Sequence, residues 1–393
     1  MKSSLLIISL ILFILTGCQI IEVVEEPMPT DQPKSNPTPL SSTVAQDSLS
    51  YQQAQALGRG VNLGNALDAP REGEWGVTLK EAYFPLIHDA GFDTVRVPIR
   101  WSSHAQATPP YTIDETFFER VDWVITNAFE QDLNVVINMH HYDKIFEDPD
   151  EHAERFIEMW KQIATRYRDK PTTLYFEPLN EPHGNLTVSK WNALLKDTIQ
   201  AIRDIDGGRH TLIVGGADWG GISGLKHLEI PEEEQNVIAT FHYYDPILFT
   251  HQGAEWMDAE YGTLGVKWPG PPDTKLEPIP EARKIEWVRL WFMRYNQLAE
   301  DVNPASPMYI AYDLDKAVAW REEHNIPLWL GEFGAYSKAG MQSRVKWTTT
   351  MREEAEARDI PWAYWEFCAG FGVYDQETQQ WNKGLLNALI PQQ

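Results

Sequence analysis

The sequence predicts a single (β/α)8 barrel, and three observations carry that prediction. Eight short apolar runs recur at 58–63, 94–98, 134–139, 174–179, 211–214, 237–242, 328–331 and 362–365. Runs of this kind read as strands buried on both faces, the mark of a parallel sheet. Amphipathic stretches separate most of them, clearest at 77–90, 114–131, 151–168, 188–206 and 341–358. Strand–helix alternation makes the sheet parallel, and eight units close into a barrel. Finally, about 340 residues from Tyr51 onward suit one α/β barrel. The cysteines are Cys18 and Cys368, so an internal disulfide is not expected and the core must stand on burial alone.

Ahead of the barrel, Lys2 is followed by the apolar run 5–15 and by Thr16-Gly17-Cys18. The run is too short to span a bilayer and reads as a signal peptide over 1–17. Residues 18–50 carry Pro27, Pro29, Pro33, Pro37 and Pro39 among Ser, Thr and acids, a composition expected of a tether. The catalytic domain is then 51–393. Within it, Asp114 is the expected N-cap of the second helix, and Gly207-Gly208 the stop of the fourth. The 218–235 connection holds Gly220, Gly221 and Gly224, so its helix should be short or broken. The sixth and seventh strands are separated by about 85 residues, far beyond a usual loop. Gly, Pro and Trp crowd 253–280, and two helical stretches follow at 281–301 and 309–324.

The formal net charge is −24, which argues against nucleic acid or anionic membrane surfaces as partners and fits a neutral polymer. Sixteen tryptophans exceed what a core needs, so some should line a groove where sugar C–H faces stack on indoles.

In such a barrel the active site is built at the C-terminal strand ends. There the sequence places Arg96, His140-His141, Asn180-Glu181, His242 with Tyr244, Glu332 and Trp365, with Asn65 and Asp68 after the first strand. Two carboxylates at buried strand tips, Glu181 and Glu332, are what glycosidic cleavage needs. Arg96 is expected to keep one of them ionised; its other reading is a structural ion pair. His140 should enter the mouth, and His141 only if the strand has already ended. His242 and Tyr244 can face one side. The Asn180 amide can bond a sugar 2-hydroxyl; alternatively Asn180 only forms a turn. Glu177, four residues before Glu181, should sit deeper as a paired structural carboxylate.

Seven ordered stretches resemble glycoside hydrolase family 5: Arg59-Gly60-Val61-Asn62-Leu63-Gly64-Asn65-Ala66-Leu67, Val95-Arg96-Val97-Pro98, Asn138-Met139-His140-His141, Asn180-Glu181-Pro182, His242-Tyr243-Tyr244, Trp329-Leu330-Gly331-Glu332-Phe333-Gly334 and Ala363-Tyr364-Trp365-Glu366-Phe367. The likeness is nearest to bacterial endo-β-1,4-glucanases, including a type that also cleaves mannan. The resemblance implies Glu181 as acid/base and Glu332 as nucleophile in a retaining mechanism. It implies Arg96, His140, Asn180, His242, Tyr244 and Trp365 around the bound sugar, with Asn65, Asp68, His141, His251 and Trp256 lining the cleft. Two departures stand out: Asp68 holds a position that is often Glu, and the segment around 284–307 looks inserted. Leu15-Thr16-Gly17-Cys18 resembles a lipobox, implying a lipid on Cys18 and a surface location; ordinary secretion is the alternative.

No cofactor and no metal is expected, and the partners expected are a polysaccharide substrate and, through the lipid alone, a membrane. The chain is expected to be monomeric. The adjacent His140-His141 pair looks poorly placed for chelation, which weighs against a metal-dependent hydrolase. The joint presence of both glutamates weighs against a noncatalytic glycan-binding protein. A β-mannanase or mixed-linkage glucanase stays open, because one hydroxyl orientation separates those substrates.

Overall fold

The computed structural model describes residues 48–391; the signal peptide, Cys18 and nearly all of the expected tether lie outside them. The eight strands are β1 (Arg59–Asn62), β2 (Thr94–Val97), β3 (Asn134–Asn138), β4 (Leu174–Glu177), β5 (Leu212–Gly215), β6 (Val237–Tyr243), β7 (Leu328–Phe333) and β8 (Trp362–Tyr364). They pair in parallel and in sequence order, and β8 closes on β1. Helices follow most strands, and their apolar faces join the outward strand residues in one large buried cluster.

Strand alternation divides the barrel interior into two storeys. The lower is apolar: Val136, Tyr175, Ile213, Ile238, Trp329 and Ala363 pack together. The helix Leu49–Leu57 plugs it from below with Ala54 and Leu57, each large side chain there contributing about 1.5–3 kcal/mol. This helix starts two residues before the expected domain boundary at 51. Above it, toward the C-terminal strand ends, lie Asn62, Arg96, Asn138, Glu177 and His242, all buried. Polar groups can occupy that storey only because they satisfy one another.

Several boundaries differ from expectation, each for a local reason. The 77–90 stretch is helical only over Tyr83–Ala90, because side chains claim the preceding backbone. Glu72 accepts the Leu79 N–H at 2.8 Å, and Arg120 donates to the Leu79 carbonyl at 2.8 Å. Asp114 caps Glu115–Phe129 as expected, accepting from the Thr116 N–H. After β5 the helix is one turn, Ile222–Leu225. The glycine-rich loop after β6 is organised by the buried Gln252 amide, which bonds Phe249, Gly265 and Val266 backbone groups. The helix Glu286–Gln297 packs on that loop, where the Tyr295 hydroxyl donates to the Lys267 carbonyl at 2.9 Å.

Candidate active site

β7 extends to Phe333, so Glu332 lies inside the strand rather than beyond it. Simple alternation from inward Trp329 would send Glu332 outward. The ladder slips between β6 and β7 and again between β7 and β8, and the slip sets Glu332 opposite His242 on the inner side. Gly331 makes this possible, since a Cβ there would come within 2.8 Å of Thr240 Oγ1 and 3.2 Å of His242 Nε2.

Arg96 is the hub. It donates from Nε and Nη2 to both oxygens of Glu177, at 2.6 and 2.7 Å, and from Nη1 to Glu332 Oε1 at 2.5 Å. It also reaches Asn62 Oδ1 at 2.9 Å and Asn180 Oδ1 at 2.8 Å. Arg96 thus pairs with the structural carboxylate of Glu177 and with Glu332 at once. Burial opposes its charge, but the two carboxylates raise its pKa further above the usual value. On Glu332 the second oxygen accepts from the Tyr244 hydroxyl at 2.9 Å. Burial and the charges of Glu332 and Glu181 push the Tyr244 phenol well up, so it stays a donor.

Glu181 sits just past β4 with φ of 46°, a left-handed turn that lifts its carboxyl away from Glu177. His242 Nδ1 lies 2.7 Å from Glu181 Oε1 and 3.6 Å from Glu332 Oε2. One oxygen of each glutamate and a His242 nitrogen lie within 4.8 Å of one another. Burial disfavours a proton on His242, yet Glu332 and the bond to Glu181 outweigh it and raise the pKa.

His140 is buried and stacks parallel to Trp365, ring centres 5.8 Å apart. Gly64 leaves room for that indole, whose Cη2 would lie 2.8 Å from a Cβ there. His141 has φ of 53°, so the strand has ended and both imidazoles turn into the mouth, against the poor chelating geometry expected. A nitrogen of each and an oxygen of Asp68 lie within 4.8 Å of one another. Tautomer chemistry nonetheless suits sugar better than metal. The Ile99 N–H donates to Asn138 Oδ1 at 3.1 Å, leaving the Asn138 amide NH2 toward His140 Nδ1, also at 3.1 Å. His140 Nδ1 then accepts, and Nε2 carries the proton. Burial, His141 and Arg96 keep this ring neutral, well below its ordinary pKa.

Asp68 lies behind His141, with Oδ2 4.0 Å from the imidazole Nε2. It is 1% exposed, and its oxygens accept the backbone N–H groups of Asn65 at 3.0 Å and Ala66 at 2.8 Å. A side chain this short closes on its own turn and shapes the loop carrying Asn65. Burial pushes its pKa up to about 7 against the pull of those N–H groups. His251 meets Tyr244 edge-on at 4.8 Å and Trp256 at 6.5 Å. Trp256 is 59% exposed on the rim.

Three rim residues escaped the sequence reading. Trp219, 58% exposed after β5, stacks on His183 at 3.5 Å, and His183 Nδ1 bonds the Glu181 carbonyl at 2.6 Å. Its indole thus flanks the Glu181 side of the pair, while Trp256 belongs to the Tyr244 side. Trp75 meets His141 edge-on at 5.3 Å. For the two tryptophans the one signal was a Trp beside a Gly in a loop after a strand, Trp75-Gly76 and Trp219-Gly220; His183 carried none.

A parallel barrel whose mouth carries two facing carboxylates, donors fixed on one of them, and exposed indoles on both sides is the frame of a glycoside hydrolase. The chain belongs to glycosyl hydrolase family 5: the family description "Cellulase (glycosyl hydrolase family 5)" matches residues 54–370. It is similar to Endoglucanase H of Acetivibrio thermocellus, 32% identical across 91% of this chain and 36% of that protein. It is also similar to Endoglucanase C of the same organism, 28% identical across 84% of this chain and 97% of that protein. The chain thus spans about a third of the first relative's length. Among solved structures, Thermotoga maritima Cel5A in complex with mannotriose is 47% identical, covers 87% of this chain and all of its own, and superposes with a TM-score of 0.76. The same Cel5A with cellobiose is 48% identical with the same coverage and TM-score.

Proposed function

We propose that this protein is a retaining endo-β-1,4-glucanase in which Glu181 is the acid/base and Glu332 the nucleophile. The observation that carries the reading is the close approach of the two carboxylates, within 4.8 Å. Retaining enzymes hold their carboxyls about 5–5.5 Å apart, whereas inverting ones leave about 6.5–9.5 Å for a water. Arg96 and Tyr244 each hold one oxygen of Glu332, which orients the carboxylate for attack on the anomeric carbon. Glu181, not bonded by Arg96, is free to protonate the glycosidic oxygen. After the glycosyl-enzyme forms, it activates water to release the sugar. Asn180, turned by Arg96, is set to meet the 2-hydroxyl. His140 offers its Nε2–H to a neighbouring sugar oxygen. Trp219 and Trp256 on opposite sides favour an internal position along a chain, hence endo action.

A second reading, combined glucanase and mannanase activity, is favoured by the likeness to Cel5A, solved both with mannotriose and with cellobiose. Reducing-sugar release from soluble cellulose, barley glucan, glucomannan and galactomannan separates the two. Proton NMR of the first product anomer tests the stereochemistry; a first-formed α-anomer from a β-linked chain would overturn retention. The protein acts as a monomer, tethered at the cell surface by a lipid on Cys18, a reading supported by Leu15-Thr16-Gly17-Cys18. Metabolic labelling with a palmitate analogue, lost in Cys18→Ser, is the check.

A further inference from the structure

Trp256 is an exposed indole on a long loop, with His251 at 6.5 Å and Phe371 at 6.3 Å as its more distant ring neighbours. Its ring meets the edge of Tyr336 at 4.8 Å and 80°. Tyr336 belongs to the loop after β7, and three loops converge on it. From the loop after β6, the Thr250 carbonyl accepts the Tyr336 N–H at 2.7 Å, and Glu255 Oε2 accepts its hydroxyl at 2.8 Å. Lys338, two residues on, pairs with the other oxygen of Glu255. From the loop after β8, Phe371 packs at 5.4 Å, and Gly370 lies so close that a Cβ would fall 2.4 Å from Tyr336 Cε2. The Ser337 N–H completes the tie to the Gly370 carbonyl at 2.9 Å.

Glu255 joins the Trp256 loop to this point and is directly adjacent to Trp256. Exposed ion pairs add little to global stability, so the bond matters for where it holds the chain. We infer that the Glu255–Tyr336–Lys338 junction is a positioning device that presents Trp256 to the sugar and sets affinity for long substrates without touching the reacting atoms. The bonds to Lys338 and Tyr336 hold the Glu255 carboxyl down at about 2, so it is charged at neutral pH. Preorganising a stacking ring saves the cost of ordering it on binding. The effect should therefore fall on KM and spare kcat.

This inference rests on the glucanase reading, and the experiment separates the two. Glu255→Ala and Tyr336→Phe are each compared with wild type on a soluble β-1,4-glucan. The expected result is a KM raised about 3- to 10-fold, the range of one aromatic contact, with kcat and thermal midpoint unchanged. In a Trp256→Ala background, Glu255→Ala should add nothing, since a residue acting only through Trp256 has no effect once the indole is gone. Binding of a β-1,4-linked hexasaccharide to the same variants in a Glu332→Ala background repeats the comparison without turnover. An unchanged KM, a fall in kcat instead, or an equal effect with and without Trp256 would overturn the positioning role. Absence of glucan cleavage by the wild type would instead defeat the functional reading, and the hexasaccharide comparison would still decide this one.

Discussion

The centre and the rim of the barrel mouth are built on opposite principles. At the centre, Arg96, Glu177 and Glu332 are all buried, and every Arg96 nitrogen has a carboxylate or amide partner. One cation faces two carboxylates there, and beside them Glu332 and the bond to Glu181 outweigh burial and draw a proton toward His242. At the rim, Trp219 and Trp256 stand more than half exposed, held by stacking and by an exposed acid. Burial strengthens each electrostatic contact at the centre and makes it intolerant of change. Exposure at the rim leaves each contact weak and adjustable. The difference teaches that reaction and substrate choice are entrusted to different physics within one cleft.

The sharpest way to break this contrast is at the centre. Glu332→Ala should lower kcat by on the order of 10^5-fold, as removal of a nucleophile does, while oligosaccharide affinity by calorimetry persists. Substantial turnover in a pure preparation would end its assignment. Arg96→Met comes next. It strands Glu177 and Glu332 in the interior without a cation, and the expected loss is about 3–5 kcal/mol of stability, read as a lowered denaturation midpoint together with lost activity.

The contrast is sharpened by pH. Burial holds His251 down at about 4, from an ordinary 6.5, so the unfolded chain takes up the proton first as the solution is acidified. The stability this confers is complete above about 6.5 and is lost as pH falls through about 4; its size is about 3 kcal/mol. His251→Gln should therefore flatten part of the acid limb of a denaturation-versus-pH curve, His141, held down at about 4 by burial and Arg100, supplying another part. A wild-type slope in the variant would contradict the assignment. The smallest effect belongs to the rim: Trp219→Ala should raise KM about 3- to 10-fold, with glucan and mannan substrates affected unequally. A fall in kcat comparable to that of the central variants would erase the distinction between the two regions.

Much of the fold was legible because it is written locally. Apolar runs marked all eight strands, and Asp114 marked a helix start, since burial on both faces and an unsatisfied N–H each leave a signature within a few residues. Errors came where a distant group claimed the local backbone, as Glu72 and Arg120 do at Leu79. In the site, Glu177 was legible as a paired carboxylate by its depth alone. The bonds from Asp68 to the N–H groups of its own turn were not legible, since a sequence does not say whether a short acid points outward or back.

By itself, then, the sequence determined the barrel, the strand tips that carry charge and the family resemblance, because periodicity and residue type act over a few residues. Tertiary structure decided the rest. The slipped ladder that turns Glu332 inward depends on how β7 lies between β6 and β8. The sharing of Arg96 between Glu177 and Glu332 joins residues 81 and 236 positions from it. The meeting of three loops at Tyr336 is likewise a product of closure. Such contacts exist only once the sheet has closed, since no local preference encodes which side chains a closed barrel brings face to face.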